Sequence, residues 1–190
     1  MKRHGRVARP DDGPADRAAL VFQSAWGWMG LAASPQGIAA LVLPQPSRAR
    51  AEKELAGAAA GRMSLAPTDA QRALLDQARR QVLDFLSGAR RSLDLKADLS
   101  VGSPFQRRVW KAALRIPYGR VRSYRWVAEK VGGAGHARAV GLALGANPVP
   151  ILIPCHRVVA QDGSLGGFSC GLRNKRRLLT LEGTLSQLKR

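Results

Sequence analysis

Cys155, His156 and Arg157 are consecutive, and the rest of the chain holds one other cysteine, Cys170, and two other histidines, His4 and His136. A thiol beside an imidazole is a minimal set for nucleophilic chemistry. The thiolate attacks, the imidazole takes or holds its proton, and positive charge from Arg157 favours ionisation of a group whose free pKa is about 8.5. A buried cysteine is more often an inert small hydrophobe, so the case for chemistry rests on its neighbours. Pro148, Pro150 and Pro154 fix the backbone and remove donors around Ile151, Leu152 and Ile153. That makes the run before the cysteine a stiff, non-helical arm with its apolar residues turned inward, able to present Cys155 from a rigid support.

Charge narrows the partner. The 190 residues carry 31 Lys or Arg against 13 Asp or Glu, a net charge of +18. Residues 98–190 hold 16 basic against 4 acidic side chains, so most of the excess accompanies the cysteine and points to a polyanion. Two cysteines make no disulfide framework, and a working thiol fits a reducing, cytoplasmic compartment. The dispersed histidines and the lack of a Cys-x-x-Cys pair imply no metal. No secretory signal is legible, and the most apolar stretch, 20–33, is too short and too interrupted to span a bilayer.

The elements that must hold the thiol suggest an α+β chain: a small N-terminal α/β domain, sheet plus helix, over 18–97, then a mainly helical domain over 98–185. A disordered basic leader is expected over 1–17 and a frayed tail over 186–190. Residues 20–25, 26–33 and 38–43 read as a strand meander with a Ser34-Pro35-Gln36-Gly37 turn, Trp26 and Trp28 lying on the sheet or in the core, and Pro44 to Pro46 ending the last strand. Residues 47–61 suit a surface helix. Thr68 opens an amphipathic helix carrying Leu75, Val82 and Phe85 and stopped at Gly88. Residues 94–99 are a strand or a connector. Ser103-Pro104 opens a helix with Val109 and Trp110 inside. Ser123 caps a second, ended by Gly132-Gly133, and 136–146 forms a third, giving a helix-turn-helix. Asp162-Gly163 signals a hairpin turn after the cysteine, residues 166–171 a glycine-rich loop, and 172–182 a terminal helix.

Pro154-Cys155-His156-Arg157 with its preceding Asn147-to-Ile153 run, Phe105-Gln106, Val109-Trp110, Ile116-Pro117-Tyr118-Gly119 and Ala137-Arg138-Ala139-Val140-Gly141 together resemble the O6-alkylguanine-DNA alkyltransferase (methylated-DNA–protein-cysteine methyltransferase) family, in order and spacing from Ser100 to Gly183. The resemblance implies a monomer that binds double-stranded DNA in the minor groove, flips out an alkylated guanine and takes its O6-alkyl group irreversibly onto Cys155, without cofactor or metal. It implies His156 as base, Glu182 as its orienting carboxylate, Asn147 as brace of the turn, and Tyr124 as a proton donor that also crowds a phosphate. Arg138 becomes the finger that fills the vacated stack, with Ser123, Ala137 and Gly141 at the DNA. Pro150, Val158, Val159, Gly167, Ser169 and Lys175 become the base pocket. Cys170 departs from the family's usual glycine and places a second thiol near that pocket. Two rival functions share parts of this pattern. A lesion sensor that binds without repair carries another residue at the cysteine, and a thiol hydrolase needs an oxyanion motif that this sequence does not display.

Overall fold

The computed structural model describes residues 17–58 and 67–189. The expected basic leader lies outside the described residues except for Arg17, as do the end of the helix expected over 47–61 and the last residue of the tail.

Strands β1 (Ala18–Ser24), β2 (Gly27–Ser34) and β3 (Gly37–Gln45) form an antiparallel meander in that order. The second strand starts at Gly27 rather than at Trp26 because Ala25 and Trp26 are the turn. Ser24 Oγ accepts the Trp26 N–H at 3.1 Å and donates to the Gly27 carbonyl at 2.8 Å. The third runs past Pro44 to Gln45, where a register shift against β2 accommodates the proline. Period-two alternation, reset in β3 by a register shift between Ile38 and Ala40, sends Met29, Leu31, Ile38 and Leu41 to one face and Ala32, Ala40 and Val42 to the other. Helix α1 (Arg48–Ala58) covers the second face through Leu55. Helix α2 (Asp69–Leu86), opened by a Thr68–Gln71 capping box, covers the first through Leu75, Val82 and Phe85.

Residues 94–99 are a connector with one parallel bridge rather than a strand. Ile38 N–H donates to Lys96 O and Asp98 N–H to Ile38 O, both at 2.8 Å. Gly37, at φ 144°, permits that approach, since a Cβ there would strike the Lys96 carbonyl.

The second half contains α3 (Pro104–Ala113), β4 (Arg122–Ser123), α4 (Tyr124–Val131), α5 (Ala137–Gly145), β5 (Val158–Val159) and α6 (Leu172–Leu181). Helices α3, α4 and α5 each pack against the other two. A 3-10 turn, Ala134–His136, joins α4 to α5, so the third helix starts one residue later than expected. Trp110 Nε1 donates to Ala143 O at 2.8 Å and fastens α3 to α5. The Asp162-Gly163 turn forms, but no hairpin follows: β5 pairs in parallel with β4.

One apolar cluster runs from the sheet and α2 through α3, α4 and α5 to the cysteine arm. Leu41 N–H donates to Pro148 O at 2.9 Å, so the arm is bonded to the sheet. The Arg177 guanidinium of α6 stacks 4.1 Å from the Trp26 ring centroid, closing the other side. No helix among the described residues is long and apolar enough to cross a membrane.

Candidate active site

Asn147 leaves α5 and organises the arm. Its Oδ1 accepts from Val149 N–H at 3.0 Å, and its Nδ2 donates to Ile153 O at 2.9 Å and to Cys155 Sγ at 3.1 Å. Between these anchors Ile151 is forced to φ 71°, a left-handed conformation that costs a β-branched residue on the order of 1–3 kcal/mol. Burial of Ile151, Leu152 and Ile153 keeps the arm in that shape. The arm is non-helical only as far as Pro154, because Cys155–Arg157 is itself a 3-10 turn. That turn sends three successive side chains in three directions.

Cys155 faces a cleft of ≈ 330 Å³ lined by Tyr124, Ala137, Gly141, Leu144, Gly145, Gly167, Phe168 and Ser169. His156 is fully buried behind it, with Nε2–H donating to Glu182 Oε1 at 2.8 Å. This bond makes Nδ1 the unprotonated nitrogen, and Nδ1 is buried with no hydrogen-bond partner among the described residues. Glu182 caps the C-terminal end of α6 and also receives Arg157, through Nε at 3.0 and 3.1 Å and Nη2 at 2.9 Å. Arg157 Nη1 reaches Ile116 O at 2.7 Å, and Gly119 N–H points at Glu182 Oε2 from 3.3 Å. A carboxylate at the carbonyl end of a helix is unfavourable by itself. Here a cation, an imidazole and an amide surround it.

This arrangement corrects the role expected of Arg157. Its charge is consumed by Glu182, so it fixes the carboxylate rather than ionising the thiol. Burial pushes the Cys155 thiol up to about 12, with the Asn147 hydrogen bond and the Lys175 charge opposing the shift and Cys170 reinforcing it. The resting group is a thiol, and its proton must leave as the sulfur reacts. Burial also lowers the His156 pKa, against the pull of Glu182, so the imidazole is neutral and able to accept. Burial alone would raise the Glu182 carboxyl, but hydrogen bonds from His156 and Arg157 hold it below the ordinary glutamate range.

Tyr124, at the start of α4, donates from Oη to Gly167 O at 3.0 Å across the cleft. Gly166, at φ 65°, passes so close to this ring that a Cβ would sit 2.9 Å from it. Ser123 Oγ is engaged in capping α4, accepting from Trp126 N–H at 3.2 Å. Ala137 and Gly141 line the cleft, and Arg138 is exposed beside them on the first turn of α5.

Of the six residues expected in the pocket, Gly167 and Ser169 line the cleft. Pro150, Val158, Val159 and Lys175 lie buried and do not line it. Val158 and Val159 are taken by pairing with β4, and Pro150 by its bridge to Ile153. Lys175 is fully buried, its Nζ donating to Val158 O at 2.7 Å, Leu165 O at 2.5 Å and Gly167 O at 3.2 Å. Those bonds hold residues 165–167, the start of the expected glycine-rich loop, against α6. Burial lowers the Lys175 ammonium to about 8, with Cys155 acting in the other direction. Cys170 is half-buried and packs against the core rather than lining the cleft. Sequence reasoning missed Leu144 as a lining residue, although it stands one helical turn from Gly141 on α5.

Residues 104–184 match the family model described as the DNA-binding domain of 6-O-methylguanine DNA methyltransferase. Curated relatives named methylated-DNA–protein-cysteine methyltransferase include one from Mycobacterium bovis, 49% identical over 102 residues, which cover 54% of this chain and 61% of the relative. One from Methanosarcina barkeri is 47% identical over 106 residues, covering 56% and 66%. The chain's match thus spans less than two thirds of these relatives. Solved structures match over a longer stretch. OGT of Mycobacterium tuberculosis, solved in complex with DNA, aligns with TM-score 0.70 and 35% identity over 88% of this chain and 94% of that one. The O6-methylguanine-DNA methyltransferase of Pyrococcus kodakaraensis aligns with TM-score 0.63 and 25% identity over 88% and 99%. The cysteine arm, the three-helix unit and the sheet that braces them follow this common plan, and the chain belongs to the O6-methylguanine-DNA methyltransferase family.

Proposed function

We propose that this chain repairs DNA by moving the O6-alkyl group of a damaged guanine onto Cys155 Sγ. The observation that carries the reading is the cleft, which has a thiol on its wall, helix α5 along one side and a His156–Glu182–Arg157 network behind the thiol. A bond forms between Sγ and the alkyl carbon while the bond from that carbon to guanine O6 breaks. The thiol proton passes to His156 Nδ1, through a bridging water, and Glu182 stabilises the imidazolium through Nε2–H. Tyr124 Oη supplies a proton to the departing guanine, whose negative charge would otherwise oppose bond cleavage. The tyrosinate is reprotonated from water as the imidazolium gives up the thiol's proton, so that the net exchange is thiol hydrogen for alkyl group. The thioether product is not hydrolysed, so each molecule acts once.

The target atom is stacked inside a duplex, and the base must leave it to reach the thiol. Arg138 occupies the space left behind, and the small residues Gly141, Gly145 and Ala146 let α5 lie against the minor groove. Ala137 and Ser123 sit at the same contact, and Asn147 holds the arm throughout. The protein works as a monomer in a reducing, cytoplasmic compartment, where a free thiol persists. Transfer chemistry is favoured over passive lesion binding because Cys155 is present and braced by Asn147 at 3.1 Å.

Incubation with a duplex containing one O6-alkylguanine, followed by intact-mass and peptide analysis, tests this. One alkyl increment on Cys155, absent from the C155S variant, is expected. A duplex bound but left unchanged, with no mass increment, would make the protein a sensor. R138A should lose transfer from duplex far more than from the free base, and equal losses on both would remove the finger.

A further inference from the structure

Between Leu99 and Ala128 the chain has seven basic side chains and no acidic one. Arg108 and Lys111 are exposed three residues apart on α3, and Arg115 is exposed in the turn that directly continues it, so the three form one outward basic run. None has a carboxylate within ion-pair distance among the described residues. An ordinary solvated helix face looks different in this same protein. Arg48, Arg50, Arg72 and Arg79 each meet an acid three or four residues away at 2.8–3.6 Å. The α3 stripe instead lines up like charges, an arrangement that destabilises a helix. The helix dipole favours Lys111 and Arg115 at the C-terminal end but does little for Arg108, which lies mid-helix.

The stripe begins beside the end of α5 that opens on the cleft. Arg108 sits 5.8 Å from the Phe105 ring centroid, and that ring lies 6.3 Å from the His136 ring in the turn just before Ala137 and Arg138. From Arg138 the basic surface therefore continues over His136 and Phe105 onto α3. We propose that Arg108, Lys111 and Arg115 form a second phosphate-binding track, which takes the backbone of the duplex beyond the lesion contacted by α5. This rests on the DNA-binding reading above and extends its footprint. The helical rise from Arg108 to Lys111 is about 4.5 Å, and Arg115 in the turn beyond extends the run, a reach that suits roughly two to three phosphates along one strand. The contact is to backbone only, so it should be indifferent to sequence and to the lesion.

The test is the salt dependence of binding to an unmodified duplex by the full chain and by R108Q/K111Q/R115Q. Neutralising three phosphate contacts should lower the slope of log K against log salt by about 2.7. The matched variant R48Q/R50Q/R72Q, with the same change in charge on the N-terminal half, should lower it far less. Urea unfolding of both variants establishes that the exposed substitutions leave the fold intact. A wild-type slope in the α3 variant, or equal reductions in the two variants, overturns the track. If the unsubstituted protein shows no salt-dependent duplex binding, the DNA-binding reading itself fails, and that outcome is distinct.

Discussion

The two halves of this molecule differ in where they place a critical carboxylate. In the N-terminal half, carboxylates lie on helix surfaces and neutralise arginines one turn away, as in Arg48–Glu52 and Arg50–Glu54 at 2.8 and 3.0 Å. In the C-terminal half, Arg125–Glu129 repeats that surface pattern on α4 at 3.2 Å, but Glu182 is buried and holds both His156 and Arg157, while the basic run along α3 is unmatched. Exposed pairs contribute little to stability, about 0–1 kcal/mol, because water already solvates both partners. A buried carboxylate with three donors cannot be removed so lightly. The difference teaches that the same residue types quiet a surface in one half, while in the other they assemble a reactive interior and leave the outside electropositive.

The strongest way to break this comparison is E182A. It strands Arg157 and His156 in the interior and should cost about 3–5 kcal/mol of unfolding free energy, read by urea denaturation, with loss of alkyl transfer. A variant as stable as the parent would show that the network is dispensable.

Acid should expose the same asymmetry. The folded-state pKa values of His156 and Glu182 both lie below their unfolded values of 6.5 and 4.5, so the unfolded chain binds protons first. Stability should be full above pH 6.5, decline as the pH falls below it and decline further below 4.5. The first decline should vanish in H156Q, and a stability flat from pH 7.5 to 5.5 in the parent would contradict a buried neutral imidazole.

K175M sharpens the comparison within the C-terminal half, since Lys175 is a buried cation with carbonyl partners in place of a carboxylate. Losing its bonds to Val158, Leu165 and Gly167 should cost about 1.5–3 kcal/mol, less whatever relief comes from removing a buried charge. Amide exchange should quicken across 165–168, and Cys155 should react more slowly with a small soluble alkylating agent, because one cation that favours its ionisation is gone. Unchanged exchange in that segment would show that the loop is held by other contacts.

The smallest effect belongs to the N-terminal surface. E52Q, which leaves Arg48 in water, should change stability by less than about 0.5 kcal/mol in the same urea measurement. A larger loss would erase the contrast between the halves.

Much of this organisation was legible beforehand because it is local. The Thr68 and Ser103 caps and the Ser34–Gly37 turn depend on residues within a few positions of each other, and each appears where its sequence signal stands. Edges were less legible. Ser24 ties Trp26 into a turn, and the hairpin signalled at Asp162-Gly163 does not form, the chain instead running on into a loop bonded to Lys175. Arg157 was misjudged because it stands two residues from the thiol in sequence, whereas its partner in space is 25 residues away.

By itself the sequence determined the reactive group, its rigid proline-bounded support, the helical punctuation around it and the excess of positive charge, since each follows from residue type and short-range geometry. Tertiary structure alone decided which charges remain free. Folding brings Glu182 against Arg157 and buries Lys175 among carbonyl oxygens, yet it leaves the α3 cations facing outward. The physical reason is that ionisation depends on solvent access and on partners within a few ångströms, and both are set by contacts between residues far apart in the chain.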